Sequence, residues 1–321
     1  MIFNPGLVVR GWLLKWRSAK FMNNLITRRE FVCSSMVASA ATVVSQGAVE
    51  IPTRPRRLSD AGWCWDGQGL NGQWRLSIFG AGEGTRWFGL RKCCFMFHPN
   101  TAMAMEKLRD MEEIVCDISK WEYQKVEHTQ YKGLGAPMRM NHDGAIERKC
   151  REAEIVGRLS LQFPNVTGAF DDDLYGKIKA EHITPTDYSA VHRAVKSANP
   201  KMKHWGVVYS HELKKESWSG FVDLLDVITL WVWASKDLVN LDRYVEQCRE
   251  IFPGKPINIG CYLRDFTLLD AVPMDMLKHQ WNLVCKYVME GTVQGYSIIS
   301  GKLIDMHAEQ ATWVRDFIKA N

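Results

Sequence analysis

From residue 91 onward, short runs of apolar and β-branched residues alternate with longer amphipathic segments, and this rhythm leaves few folds open to the chain. It predicts strands at Cys93–Phe97, Ile114–Ile118, Val166–Phe170, Trp205–Tyr209, Val227–Val232, Ile257–Tyr262 and Gly295–Ile299. Helices are predicted between them, near 101–111, 144–162, 185–198, 236–251, 273–290 and 305–319. Ser235 is the expected N-cap of the helix near 236, and Pro253-Gly254 marks its end. Alternating β and α segments imply a parallel sheet covered by helices. Seven strands, or eight with one from the preceding stretch, in roughly 230–270 residues favour a closed (β/α)₈ TIM barrel. An open doubly wound sheet is the other candidate, but no Gly-rich phosphate fingerprint follows any strand; Gly80-Ala81-Gly82-Glu83-Gly84 precedes no convincing helix.

The segment ahead of the barrel divides in two. Residues 1–50 read as a targeting region: Arg28-Arg29, then Phe31 and the weakly apolar stretch Val32 to Val49, look like a twin-arginine export signal. Ala38-Ser39-Ala40 or the vicinity of Ala48 offers a cleavage site, and Met22 is a possible true start. The apolar stretch is too short and polar for a membrane span. These features predict a bacterial protein handed to the twin-arginine export machinery and located in the periplasm or outside the cell. Residues 51–90 read as a linker and an irregular, Gly- and Trp-rich entry segment with a possible strand at Trp74–Phe79, and residues 91–321 as the barrel.

Charge excludes one class of partner. The formal net charge of the 321 residues is +5, but +4 of it belongs to residues 1–50, which leaves a nearly neutral body. An electrostatic nucleic-acid binder is therefore not expected. The nine cysteines contain no C-x-x-C pair, which argues against a zinc ribbon or a thioredoxin-type site. Cys116 and Cys261 lie in apolar strand-like runs and read as core thiols.

In a barrel of this kind the C-terminal strand ends carry the chemistry. Read in order, they deliver His98, Asp117 with Trp121 just beyond, Asp171-Asp172-Asp173, Tyr209 with His211-Glu212, Trp231 and Trp233, and Tyr262 with Asp265. Period-two alternation predicts that Asp171 and Asp173 look into the barrel, with Val166 and Phe170 facing the helices and Asp172 orienting its neighbours. Two close carboxylates repel when both are ionised, so one must rise in pKa, which lets an acid and a base coexist at neutral pH. Glu212 is the expected partner of that pair and Asp265 its alternative. Trp231, Trp233 and Tyr262, helped by Trp121 and Tyr209, are the expected flat platform, with His98, Asp117 and His211 as further contacts.

On Phe170-Asp171-Asp172-Asp173, His211-Glu212 and the aromatics Trp231, Trp233 and Tyr262, the chain resembles secreted (β/α)₈ barrels of the glycoside-hydrolase type. The strand-end aspartates are loosely similar to the D-x-D-x-E motif of chitinase-like barrels, but Tyr175 stands where that motif has its glutamate. The resemblance implies a carbohydrate substrate, glycosidic-bond hydrolysis by a carboxylate pair, and no cofactor. Two other readings stay open. One is a metal-dependent sugar isomerase or epimerase, with His98, His211, Asp171, Asp173 and Glu212 as a possible ligand set. The other is a carbohydrate-binding barrel without catalysis.

Overall fold

The computed structural model describes residues 57–67, 77–80, 82–119, 121–125, 138–142 and 145–321. The export signal, its cleavage sites, Met22 and residue Trp74 lie outside them.

Eight parallel strands close on one another: β1 (Gly62–Gly67), β2 (Lys92–Met96), β3 (Glu113–Asp117), β6 (Val166–Asp171), β7 (Lys203–Tyr209), β8 (Val227–Trp231), β9 (Ile257–Tyr262) and β12 (Gly295–Ile299). Their order around the barrel, β1-β12-β9-β8-β7-β6-β3-β2, is that of neighbours in sequence and closes β1 against β12. Two small antiparallel pairs interrupt the alternation. One is β4 (Trp121–Lys125) with β5 (Met138–His142), inserted after β3; the other is β10 (Arg264–Asp265) with β11 (Asp270–Ala271), inserted after β9. The α-helices are α1 (Glu83–Trp87), α2 (Ala102–Lys107), α3 (Ile146–Gln162), α4 (Leu174–Ala180), α5 (Pro185–Ser197), α6 (Leu241–Ile251), α7 (Met274–Glu290) and α8 (Ala308–Ala320). None among the described residues is long and apolar enough to cross a membrane.

The barrel begins earlier than the sequence suggested. Its first strand is Gly62–Gly67, within the Gly- and Trp-rich stretch read as irregular, whereas Ser77 to Phe79 form no strand. The reason lies in the interior. Trp63 of β1 meets Trp205 of β7 edge to face at 5.3 Å, and Phe170 of β6 lies beside Trp205 at 6.3 Å. Rings this large fit only because glycines face them: a Cβ on Gly168 would come within 2.8 Å of the Trp205 Nε1, and one on Gly260 within 2.0 Å of the Trp231 ring. Tryptophan and glycine are the two halves of one packing solution, so their joint enrichment marks a barrel wall.

Two helices behind β6 set up the site. The N-terminus of α5 is fixed by a capping box, in which the Thr184 Oγ1 accepts from the Asp187 N–H at 3.2 Å and the Asp187 carboxylate accepts from the Thr184 N–H at 3.0 Å. Pro185 occupies the first turn, and Tyr188 follows on the buried face. Helix α3 packs along α5 and buries Lys149, a cation near its own N-terminus where the helix dipole offers no support. The expected N-cap role of Ser235 does not hold: residues 235–240 form a 3-10 turn, and the Ser235 backbone N–H is bound by Asp265 at 2.7 Å.

Candidate functional site

The C-terminal end of β6 sends its three aspartates to two places. Asp171 points outward into the helix layer, where Lys149 Nζ donates to Oδ1 at 2.5 Å and the Tyr188 hydroxyl donates to Oδ2 at 2.7 Å. The Tyr188 oxygen also lies 3.0 Å from Nε2 of His204, and all four side chains are fully buried. This corrects the expectation that Asp171 faces the barrel. Phe170 lines the interior against Trp205, so its neighbour Asp171 faces the helices. Burial alone pushes the Asp171 carboxyl up, but the Lys149 charge and the bonds from Lys149 and Tyr188 outweigh it and hold the group below its ordinary value. Burial pushes His204 down to about 4, with His192 acting the same way, so its ring is neutral.

Asp172 and Asp173 belong to the mouth. Asp173 adopts a left-handed backbone conformation, with φ 49°, and this break in the strand brings its carboxylate to the Tyr209 hydroxyl, which donates at 2.7 Å. Asp172 Oδ1 accepts from the Asp173 N–H at 3.1 Å. Burial lifts the Asp172 carboxyl well above the ordinary range, and the charges of Asp173 and Asp117 add to it. Asp173 is raised as well, by burial, against the pull of the Tyr209 bond and of Lys149 and Lys177. Asp172 therefore sits among the mouth carboxylates rather than behind them.

Glu212 stands on the next strand end, in the short turn after β7. Its side chain is 8% exposed, and Oε2 accepts from the Tyr209 N–H at 2.9 Å. Burial, with a further contribution from Asp173, raises it to about 7. A carboxyl of that kind is close to half protonated at neutral pH, the condition for a general acid.

Aromatic rings wall one side of these carboxylates. Tyr209 stacks on the exposed ring of His211 at 5.5 Å and stands edge-on to Trp233 at 5.7 Å. Trp233 in turn is edge-on to Tyr262 at 6.2 Å and stacked with Phe266 at 5.2 Å. Trp233 is 41% exposed. Trp231, expected beside it in the platform, is instead sealed at 2% exposed: it packs on Tyr262 at 4.9 Å, and its indole N–H reaches the Thr229 hydroxyl at 3.2 Å. It forms the floor of the site.

Three other candidates have structural partners. Asp265 accepts from the N–H groups of Ser235, Thr267 and Leu268 and from the Thr267 hydroxyl, at 2.6–3.0 Å; these bonds outweigh burial and hold it down to about 2, so it shapes the loop after β9. Asp117, fully buried, accepts from the Phe97 N–H at 3.1 Å and from the N–H and hydroxyl of Ser119. The half-buried ring of His98 stacks on Phe95 at 5.2 Å. Trp121 opens β4, and its side chain lies outside the described residues. Among the described residues, no three His, Cys, Asp or Glu side chains converge closely enough to hold a metal ion.

The sequence matches no family model and no curated protein. Similar solved structures include the family 18 chitinase from Crocus vernus, at 8% identity and a TM-score of 0.49, over 81% of this chain and 98% of that one. A chitinase from Chromobacterium violaceum is similar at 10% identity and a TM-score of 0.48, over 82% of this chain and 99% of that one. A Bacteroides uniformis β-glucuronidase is similar at 10% identity and a TM-score of 0.47, over 68% of this chain but only 27% of the other. All three are glycoside hydrolases; at such identities the barrel assignment rests on the strand order itself.

Three contributors were not read from the sequence as part of the site. Phe266 is legible in hindsight, because it follows Asp265 within the same strand-end segment as Tyr262. Lys149 and Tyr188 left no signal, since one lysine and one tyrosine on predicted helices look like surface and core respectively.

Proposed function

We propose that the protein is a carbohydrate-active hydrolase, exported from a bacterial cytoplasm, that cleaves a glycosidic bond at the C-terminal mouth of its barrel. The observation that carries this reading is the grouping of Glu212, raised to about 7, with the neighbouring anionic site of Asp172 and Asp173 beside an exposed indole. Glycoside hydrolysis needs one carboxyl that holds a proton for the leaving oxygen and a second that attacks or activates water. Glu212, raised to about 7 by burial, is the group that can keep a proton for the leaving oxygen. Asp173, oriented by the Tyr209 hydroxyl, is the better placed of the two aspartates to carry the charge, and the Asp172 carboxyl accepts from the Asp173 backbone N–H beside it. Trp233 offers a flat apolar face against which a sugar ring can stack, with Tyr262 and Phe266 holding the indole upright.

The experiment is turnover of a panel of polysaccharides and aryl glycosides by the wild type, Glu212→Gln and Asp173→Asn. Loss of hydrolysis in both variants with retained folding supports the reading, and full activity in both removes it. A carbohydrate-binding barrel without catalysis predicts saturable glycan binding that disappears in Trp233→Ala while no product forms with any substrate. Export is tested separately, by fusing residues 1–50 to a reporter and replacing Arg28-Arg29 by Lys-Lys; transport that persists after the replacement rejects the twin-arginine route.

A further inference from the structure

Lys149 is the one fully buried lysine among the described residues, and the mouth carboxylates do not touch it directly. Its ammonium enters the helix layer from the first turns of α3 and is clamped by Asp171, which Tyr188 holds from the other side. Asp171 is the last residue of β6, so this clamp grips the backbone immediately before Asp172 and the left-handed Asp173. An ammonium taken fully out of water costs several kcal/mol, and a hydrophobic pair would fill the same space at less cost. Packing alone therefore does not account for a lysine here.

We propose that Lys149 is a positioning residue for the mouth: clamped to Asp171 beneath the strand end, it anchors that end and sets a fixed positive charge behind Asp173. The inference rests on the reading of Asp173 as the anionic member of the reactive pair. Among the described residues, these groups act on Asp173 or stand beside it. From its own segment come Asp171 and Asp172, from α3 Lys149, and from α4 Lys177; β7 supplies Tyr209, the turn after it Glu212, and β9 Tyr262. Lys177 lies in an ion pair with Glu181 at 3.7 Å on the flank of α4, half exposed to water that screens it. Lys149 is unscreened. It opposes the repulsion of Asp171 and favours the charged form of Asp173.

The test is the carboxyl titration of the full chain, labelled with ¹³C at the aspartate side chains, in wild type, Lys149→Met and Lys149→Arg. The Asp173 signal is identified by its disappearance in Asp173→Asn. The expected result is an upward shift of about one unit in the Asp173 midpoint in Lys149→Met, the effect of deleting a nearby opposite charge, and a near wild-type midpoint in Lys149→Arg. Where Lys149→Met does not fold, Lys149→Gln removes the charge alone while its amide can still donate to Asp171, and its Asp173 midpoint decides in the same way. A folded variant that lacks the positive charge of Lys149 and whose Asp173 midpoint is unchanged overturns the proposal, because a purely structural lysine would alter stability alone. The titration needs no substrate, so it stands or falls independently of whether any glycan is hydrolysed. With a substrate in hand, the acidic limb of the kcat profile should move up by the same amount while KM stays put.

Discussion

Asp171 and Asp173 lie two residues apart on one strand end, yet they inhabit opposite electrostatic worlds. Asp171 is sealed among Lys149, Tyr188 and His204, and is held below its ordinary pKa by a full set of partners. Asp173 shares the mouth with Asp172 and Glu212, has one tyrosine donor, and is pushed up. Burial alone does not separate the two; the difference lies in whether a cation and two hydrogen bonds compensate it. A compensated carboxylate makes structure, and a poorly compensated one stores the free energy that chemistry uses.

The largest effect that would sharpen this contrast is the removal of one partner from the sealed side. Lys149→Met should cost about 3–5 kcal/mol, read as a lower denaturation midpoint in urea, while Lys149→Met/Asp171→Leu recovers most of it. Recovery that fails would mean the pair does more for the fold than neutralise itself. On the floor of the mouth, Trp231→Ala should also cost about 3–5 kcal/mol, because the ring is buried against Gly260.

On the open side, Glu212→Gln should lower glycan turnover by about 10²–10⁴-fold, the range for loss of general acid catalysis, with little change in stability. The two sides also tilt the pH dependence of stability in opposite directions. Between the ordinary glutamate value and about 7, the folded protein keeps a proton on Glu212 that the unfolded chain has released; stability therefore falls as pH rises through that window, and Glu212→Gln should flatten the slope. Between 6.5 and about 4 the unfolded chain protonates His204 while the folded protein does not, so stability falls as pH drops, and His204→Gln should remove that part of the acid limb. Thermal melts from pH 4 to 8 on the three proteins check both signs. The smallest effect on folding belongs to Trp233→Ala, at most about 1 kcal/mol for a half-open ring, yet it should weaken glycan binding measurably. Equal destabilisation by Trp231→Ala and Trp233→Ala would erase the distinction between floor and platform.

Much of the barrel could be read in advance, and seven of its eight strands fall where runs such as Ile257–Tyr262 and Val227–Trp231 announce them. The eighth, Gly62–Gly67, was hidden because its glycine and tryptophans carry no amphipathic period; they make sense only beside Tyr296, Trp205 and the other rings they pack against. Asp172, Asp173, Glu212, Tyr209, Trp233 and Tyr262, all read from strand ends, come together in the structure. Which way each one turned was not legible. The expectation for Asp171 failed because a strand has two equivalent faces, and the choice between them depends on which face meets the larger neighbours. Asp265 and Asp117 look like site acids in a linear string, and only the loops folded around them show that their lone pairs are already taken.

The sequence by itself determined the alternation of strands and helices, and with it a parallel barrel whose strand ends are rich in acids and rings, because hydrophobic period and turn chemistry are local properties of the chain. Only the tertiary structure decided that Asp171 faces a buried lysine while Asp172 and Asp173 face the mouth, that Trp231 is floor and Trp233 wall, and that burial raises Glu212. Those outcomes depend on distances between residues remote in sequence, and on how much water the fold removes from each charge, and a linear string carries neither quantity.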